Sequence, residues 1–426
     1  MKEFNKVIGY KDVKVELERI ADMMVNSDKY KALGVKTTSG LLLYGEPGVG
    51  KTLMAKCLIK ASKREAFTIR KDAPDGDFVK QIKTTFDEAK EKAPSIVFLD
   101  DVDKFANEDI NHRNAEEFVT IQSCIDDCSD EEVFVIATAN DLDNLPSSLL
   151  REGRFDKTIE VLPPTGKDAE EIIKYYLSSK KVAKDVDCKE IARFLDGRSC
   201  ASLETVLNEA GVYSGFEGKQ KIDMKDIIRA FMRVVYKAPE YTDKEDTKYL
   251  RNIAVHEAGH TVVAEILEPE SVNIVTVKKH DGSIGGFTSY DQDENYFQDK
   301  QFMETRVMSL LAGRAATEIV YGKVDVGATS DLQRAFRVVE RFVDDYCGYG
   351  FFFCEGLVSR GESNELLGRK TYAIQTEVER YYQMTKKILI DNRELLDKLT
   401  DALEKNKTLV YRDIQDIKKT CKLVIN

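Results

Sequence analysis

Over residues 1–165, short apolar runs alternate with longer stretches whose apolar positions recur at helical spacing. The runs are Gly40–Tyr44, Ala66–Arg70, Ser95–Leu99, Val133–Thr138 and Thr158–Val161. Short apolar runs between longer amphipathic segments predict βα units on a parallel sheet. Pro163-Pro164-Thr165-Gly166 interrupts the pattern. From there to about 236 only helical periodicity remains, at Glu170–Leu177, Cys188–Phe194, Ser202–Ser214 and Met224–Val235. The charged stretch Lys237–Lys248 reads as a linker. The rest is again mostly helical, with one expected strand pair at Val272–Lys278 and Ile284–Ser289. The expected fold class is α/β plus α: an α/β core at 1–166, a helical segment at 167–240, and a mostly helical domain at 241–426.

Composition narrows the function classes. The 426 residues carry a net charge of −11, with 42% hydrophobic and 33% charged residues. That balance fits a folded, charge-rich chain rather than a disordered one. It also argues against a nucleic-acid partner or an anionic membrane surface. No apolar window approaches the roughly 18–20 residues of a spanning helix. The opening MKEFNK has no apolar segment behind its charges, so no secretory signal is expected. Eight cysteines are scattered without paired C-x-x-C spacing, as for thiols in a reducing compartment, and a cytoplasmic location is expected. Only four histidines occur, two of them within one five-residue stretch.

The first candidate site is a phosphate cradle. Gly45-Glu46-Pro47-Gly48-Val49-Gly50-Lys51-Thr52 follows the apolar run Leu41–Leu43 and precedes the helical stretch Thr52–Ser62. This is the strand–loop–helix context that G-x-x-x-x-G-K-[ST] requires. Gly45, Pro47, Gly48 and Gly50 shape a turn whose N–H groups can face phosphate oxygens. Lys51 supplies a cation to the β/γ-phosphates of ATP, and Thr52 a hydroxyl to Mg²⁺. Ser95–Leu99 ends in Asp100 and Asp101. Asp100 is placed to hold Mg²⁺ through water, and Asp101 to polarise an attacking water. Asn140 ends the next buried run, where an amide could sense the terminal phosphate. Arg151 and Arg154 stand three apart in Leu149–Asp156. Arginine suits phosphate contact, although a solvated surface pair is the simpler reading of these two.

The second candidate site is His256-Glu257-Ala258-Gly259-His260, an H-E-x-x-H. Spacing i, i+4 puts both imidazoles on one helix face, within reach of one Zn²⁺. Glu257 is placed to take a proton from an attacking water. With so few histidines, about 0.003 such matches are expected by chance. A catalytic zinc takes three protein ligands. His112 and His280 read as surface or packing residues, so a carboxylate is the expected third. Asp331 stands out where a loop enters the helical stretch Leu332–Val343. From spacing alone the simpler reading is an acid favoured by the helix dipole in a first turn.

Together these motifs make the chain resemble the FtsH-type AAA+ metalloproteases. The resemblance runs through Ala32-Leu33-Gly34, the cradle, Ala137–Asn140, Leu149–Asp156, Asn208-Glu209-Ala210, Ala254–His260, Leu311–Ala316, Gly327–Ala335 and Ile388–Leu403. It implies a P-loop ATPase core, a helical lid and a zinc metallopeptidase domain, using ATP, Mg²⁺ and Zn²⁺. It implies that Asn140 is a nucleotide sensor and that Asp331 is the third zinc ligand. It implies that Arg151 and Arg154 are fingers reaching the neighbouring subunit of a homo-oligomeric, typically hexameric, ring. Its activity would be ATP-driven unfolding of protein substrates and their cleavage.

Several positions depart from the family. The N-terminal membrane anchor usual in the family is not expected in these residues, which leaves open membrane association through a partner. Asp77–Phe86 is shorter than the substrate-gripping loop and lacks its aromatic-Val-Gly motif. Phe78 could be a residual pore aromatic, but a helix-packing role suits it better. The Gly-rich stretch after the acidic strand is reduced to Phe105–Asn114, and Asp101 stands where the family has Glu. Two alternatives stay open: a zinc peptidase whose ATPase ring serves mainly assembly, and a nucleotide-gated, chaperone-like binding protein that cuts nothing.

Overall fold

The computed structural model describes residues 1–426 except 36–37, 72–74, 107–114, 129–130, 152, 240–248, 280–284, 291–298, 324–325, 347, 349–363 and 426. The chain divides into two compact units, Met1–Asp223 and Met224–Asn426.

In the first unit the order is α1 (Lys11–Val25), α2 (Ser27–Ala32), β1 (Gly40–Tyr44), α3 (Lys51–Ser62), β2 (Glu65–Ile69), α4 (Asp75–Glu91) and β3 (Ser95–Leu99). It continues with α5 (Ala115–Asp126), β4 (Val133–Ala139), β5 (Lys157–Glu160), α6 (Gly166–Leu177), α7 (Cys188–Phe194) and α8 (Cys200–Phe216). The five strands form one sheet in the order β2-β3-β4-β1-β5, every pair parallel. All residues of β3 and β4 are buried, which is why they read as unbroken apolar runs. The register sets Leu42 against Ala137 and Phe98 against Ile136. The carboxyl ends of β1, β3 and β4 therefore open side by side, the usual place for a ligand in such sheets. Phe78 does not project from its helix. It is fully buried, 5.2 Å edge-on from Phe105, because α4 lays its apolar stripe on the sheet.

The second unit contains α9 (Met224–Tyr236), α10 (Leu250–Leu267), β6 (Val272–Thr276), β7 (Phe287–Tyr290), α11 (Lys300–Tyr321) and α12 (Thr329–Asp344). It ends with α13 (Asn364–Asp391), α14 (Arg393–Asn406), β8 (Thr408–Val410) and α15 (Tyr411–Lys419). Helix α10 is buried almost throughout from Ala254 to Ile266, against α11, α14 and β6. A small antiparallel sheet in the order β7-β6-β8 flanks it. Strand β8 is not expected from the sequence, since three residues between two helices carry no period to read. Among the described residues no helix is long and apolar enough to cross a membrane.

Candidate active sites

The cradle is built where β1 turns into α3. Gly48 and Gly50 have φ of +83° and +104°, backbone that side-chain-bearing residues rarely adopt. A Cβ on Gly48 would also come within 2.7 Å of the Ala201 Cβ, so α8 closes directly on the loop. The Lys51 ammonium is buried and donates to the carbonyls of Gly45 (2.7 Å) and Glu46 (2.8 Å) and to Asn140 Oδ1 (3.1 Å). Burial lowers its pKa, and the charges of Asp101, Asp103 and Asp100 oppose that shift.

The Thr52 hydroxyl donates to Asp100 Oδ1 at 3.0 Å, so the two groups expected at Mg²⁺ already meet. Thr138, to which residue type and spacing assign no role, joins them. Its hydroxyl donates to Asp100 Oδ1 (2.9 Å) and accepts from the Asp101 N–H (2.9 Å). Asp101 is held at φ +56° with its carboxylate paired to Lys104 at 2.6 Å. A cavity of about 1070 Å³ is lined by Gly48, Lys51, Thr52, Asp101, Asn140 and Tyr176, among others, large enough for a nucleotide. The two arginines differ. Arg154 makes a bidentate fork to Asp126 within its own unit, at 2.7 and 2.8 Å. Arg151 is exposed and makes no ion pair among the described residues.

In the second unit the helical spacing of α10 brings His256 and His260 together, and the first turn of α12 supplies Asp331. His256 Nε2, His260 Nε2 and Asp331 Oδ2 form a triangle with edges of 3.1, 3.2 and 3.4 Å. A tetrahedral zinc with bonds of about 2.0–2.1 Å spaces its ligands about 3.3–3.4 Å apart. The donor set, two imidazoles and a carboxylate, is also one that zinc takes. Residues and metal therefore fit. His112 and His280 lie outside the described residues.

Surrounding groups fix these donors. His260 Nδ1–H donates to the Ser309 carbonyl at 2.6 Å, leaving Nε2 as the donor to a metal. Arg334 donates to Asp331 Oδ1. Burial by itself would raise the Asp331 carboxyl, but hydrogen bonds from His256, His260 and Arg334 hold it well below the usual carboxylate range. Glu257 is 5% exposed. Burial pushes its carboxyl up, and the neighbouring His260 and His256 only partly offset this. Gly313 on α11 lies flat against the His256 ring. Sequence reasoning missed Gly313, Ser309, Arg334 and also Thr288, whose hydroxyl donates to Glu257 Oε2, as parts of the site. Gly313 and Arg334 fall within family-like stretches, Leu311–Ala316 and Gly327–Ala335, but neither spacing nor period marks any of the four.

Two family models match the chain. That for the ATPase family associated with various cellular activities (AAA) matches residues 41–162, and that for peptidase family M41 matches residues 243–417. The chain is 32% identical to the ATP-dependent zinc metalloprotease FtsH of Bacillus subtilis (strain 168), over 97% of this chain and 69% of that protein. It is 30% identical to FtsH of Thermus thermophilus, over 97% of this chain and 70% of that protein. It is 30% identical to FtsH 2 of Phytoplasma mali (strain AT), over 98% of this chain but 63% of that relative's length.

Proposed function

This chain belongs to the FtsH family of ATP-dependent zinc metalloproteases, and from that premise we propose that it is an ATP-dependent zinc endopeptidase acting on protein substrates. The observation that carries the reading is the triangle of His256, His260 and Asp331 beside the buried Glu257. Zinc held by those three residues would supply Lewis acidity, polarising the scissile carbonyl and acidifying the attacking water. Glu257 takes a proton from that water as its oxygen bonds to the carbonyl carbon. It then passes the proton to the amide nitrogen as the C–N bond breaks, leaving a carboxylic acid and an amine.

In the ATPase core Lys51 would neutralise phosphate charge, Thr52 and, through water, Asp100 would hold Mg²⁺, and Asp101 would orient the hydrolytic water. Asn140 links Lys51 to the end of β4 and would report on the terminal phosphate. Arg151, exposed and unpaired among the described residues, suits a finger that reaches a neighbouring subunit in a hexameric ring; Arg154 suits bracing that segment. We assign residues 1–166 to the core, 167–240 to the lid and 241–426 to the peptidase, with α9 of that lid packing in the second compact unit. We place the chain in the cytoplasm because six described cysteines are free thiols.

A second reading, a peptidase whose ATPase ring serves mainly assembly, is supported by one observation. Phe78 is fully buried in its own core and cannot grip a passing chain. Casein and a folded reporter protein, each with and without ATP, separate the two. Coupled proteolysis predicts that Glu257→Gln and Lys51→Ala both abolish cleavage. The assembly reading predicts that only Glu257→Gln does, with the folded reporter resistant throughout. Cleavage unchanged by Glu257→Gln would sink both.

A further inference from the structure

Strand β7 is at the edge of its sheet, paired on one side to β6 with Thr288 opposite Val275. Side chains alternate along a strand, so Thr288 and Tyr290 share one face and Phe287 and Ser289 the other. The Thr288 face meets α10. The Thr288 hydroxyl donates to Glu257 Oε2 at 2.9 Å, and its oxygen is also 3.5 Å from the Glu257 carbonyl. The contact spans 31 positions of sequence and joins a half-buried side chain to one that is 5% exposed.

We propose that Thr288 is a positioning residue for Glu257: its hydroxyl holds Oε2 so that the other carboxylate oxygen is the one presented to the water. This rests on the reading of Glu257 as the proton-transferring base. Three features suit the Thr288–Glu257 pair to the task. A glutamate has several freely rotating bonds, and ordering it is costly. A β-branched threonine is stiff at χ1, so its hydroxyl has little freedom of its own. Its backbone is fixed by β6, all of whose residues are buried. A carboxylate held by one oxygen on a rigid strand is preorganised, and preorganisation raises turnover rather than substrate affinity. The contact also comes from the hydroxyl rather than from bulk. A valine of the same shape removes the hydrogen bond, and a serine keeps it.

The test uses the full chain with a fluorogenic peptide. Thr288→Val should lower kcat about 10–100-fold with KM within about twofold, as expected for losing a hydrogen bond to a charged group. Thr288→Ser should restore kcat to within about threefold, less than that loss. Zinc stoichiometry, zinc affinity by chelator competition and melting temperature should match wild type in both variants. Crystal structures of the variants should show the Glu257 carboxylate displaced in Thr288→Val and in place in Thr288→Ser. The proposal is overturned if Thr288→Val keeps kcat, if zinc or stability falls together with kcat, or if Glu257 stays put. If the wild-type protein cuts no peptide, the peptidase reading fails instead, and the Glu257 position in the crystal still decides the contact.

Discussion

At Gly313 one methyl group separates a formed site from a spoiled one. A Cβ there would lie 2.4–2.7 Å from three atoms of the His256 imidazole, a distance no real carbon tolerates. The ring is boxed in, with its Nε2 already facing His260 and Asp331, so it could yield only by turning away from them. Gly313→Ala should therefore weaken zinc about 10–100-fold, as losses around a metal site typically do. Alanine favours a helix over glycine by about 1 kcal/mol, less than the stabilisation lost when zinc binding weakens about 10–100-fold. Chelator competition and thermal melting of the zinc-loaded protein should show affinity and stability falling together. An unchanged zinc affinity would mean that α11 shifts to accommodate the methyl. Nothing in the local sequence of Gly313 announces this role, because the atom it must avoid belongs to another helix.

Between elements, the least obvious tie is that of α10 to α15. Glu265 is fully buried, and its carboxylate accepts from Lys418 Nζ (2.6 Å), Gln415 Nε2 (2.9 Å) and the backbone N–H groups of Glu270 and Val272. The far end of the chain thus holds the site helix and the start of β6. Lys418→Met removes the cation and leaves the buried carboxylate with neutral donors. A destabilisation of about 2–4 kcal/mol is expected, reduced by those remaining donors. Urea unfolding measures it, and a loss below half of that range would mean that Gln415 and the backbone suffice. At this scale the sequence was partly legible. The strands of the first unit stood out because burial on both faces makes them continuous apolar runs. Strand β8 did not, since a three-residue strand exists only through its pairing with β6. Phe78 was ambiguous for a related reason, because an aromatic on a helix gives no sign of which face the sheet will cover.

For the whole chain, two compact units carry two separate chemistries, and each should respond to its own ligand. ATP with Mg²⁺ should raise the melting transition of Met1–Asp223, and a zinc chelator should lower that of Met224–Asn426, by mass action on the native state. Calorimetry on wild type, Lys51→Ala and His260→Ala assigns the transitions; each variant should abolish one response and spare the other. A single transition shifted equally by both ligands would contradict independent units. The sequence by itself determined what is local: the cradle between strand and helix, the acidic end of β3, and two imidazoles one turn apart with a glutamate beside them. Each follows from helix or strand period and from residue chemistry. Only the tertiary structure decided what depends on distant chain. It brought Asp331, 75 positions from His256, to 3.2 Å. It set Thr288 on Glu257, Gly313 against an imidazole, and Arg154 on Asp126 rather than facing outward. Period and propensity specify which face of an element is apolar, but the partner that face meets is chosen by the packing of the whole unit.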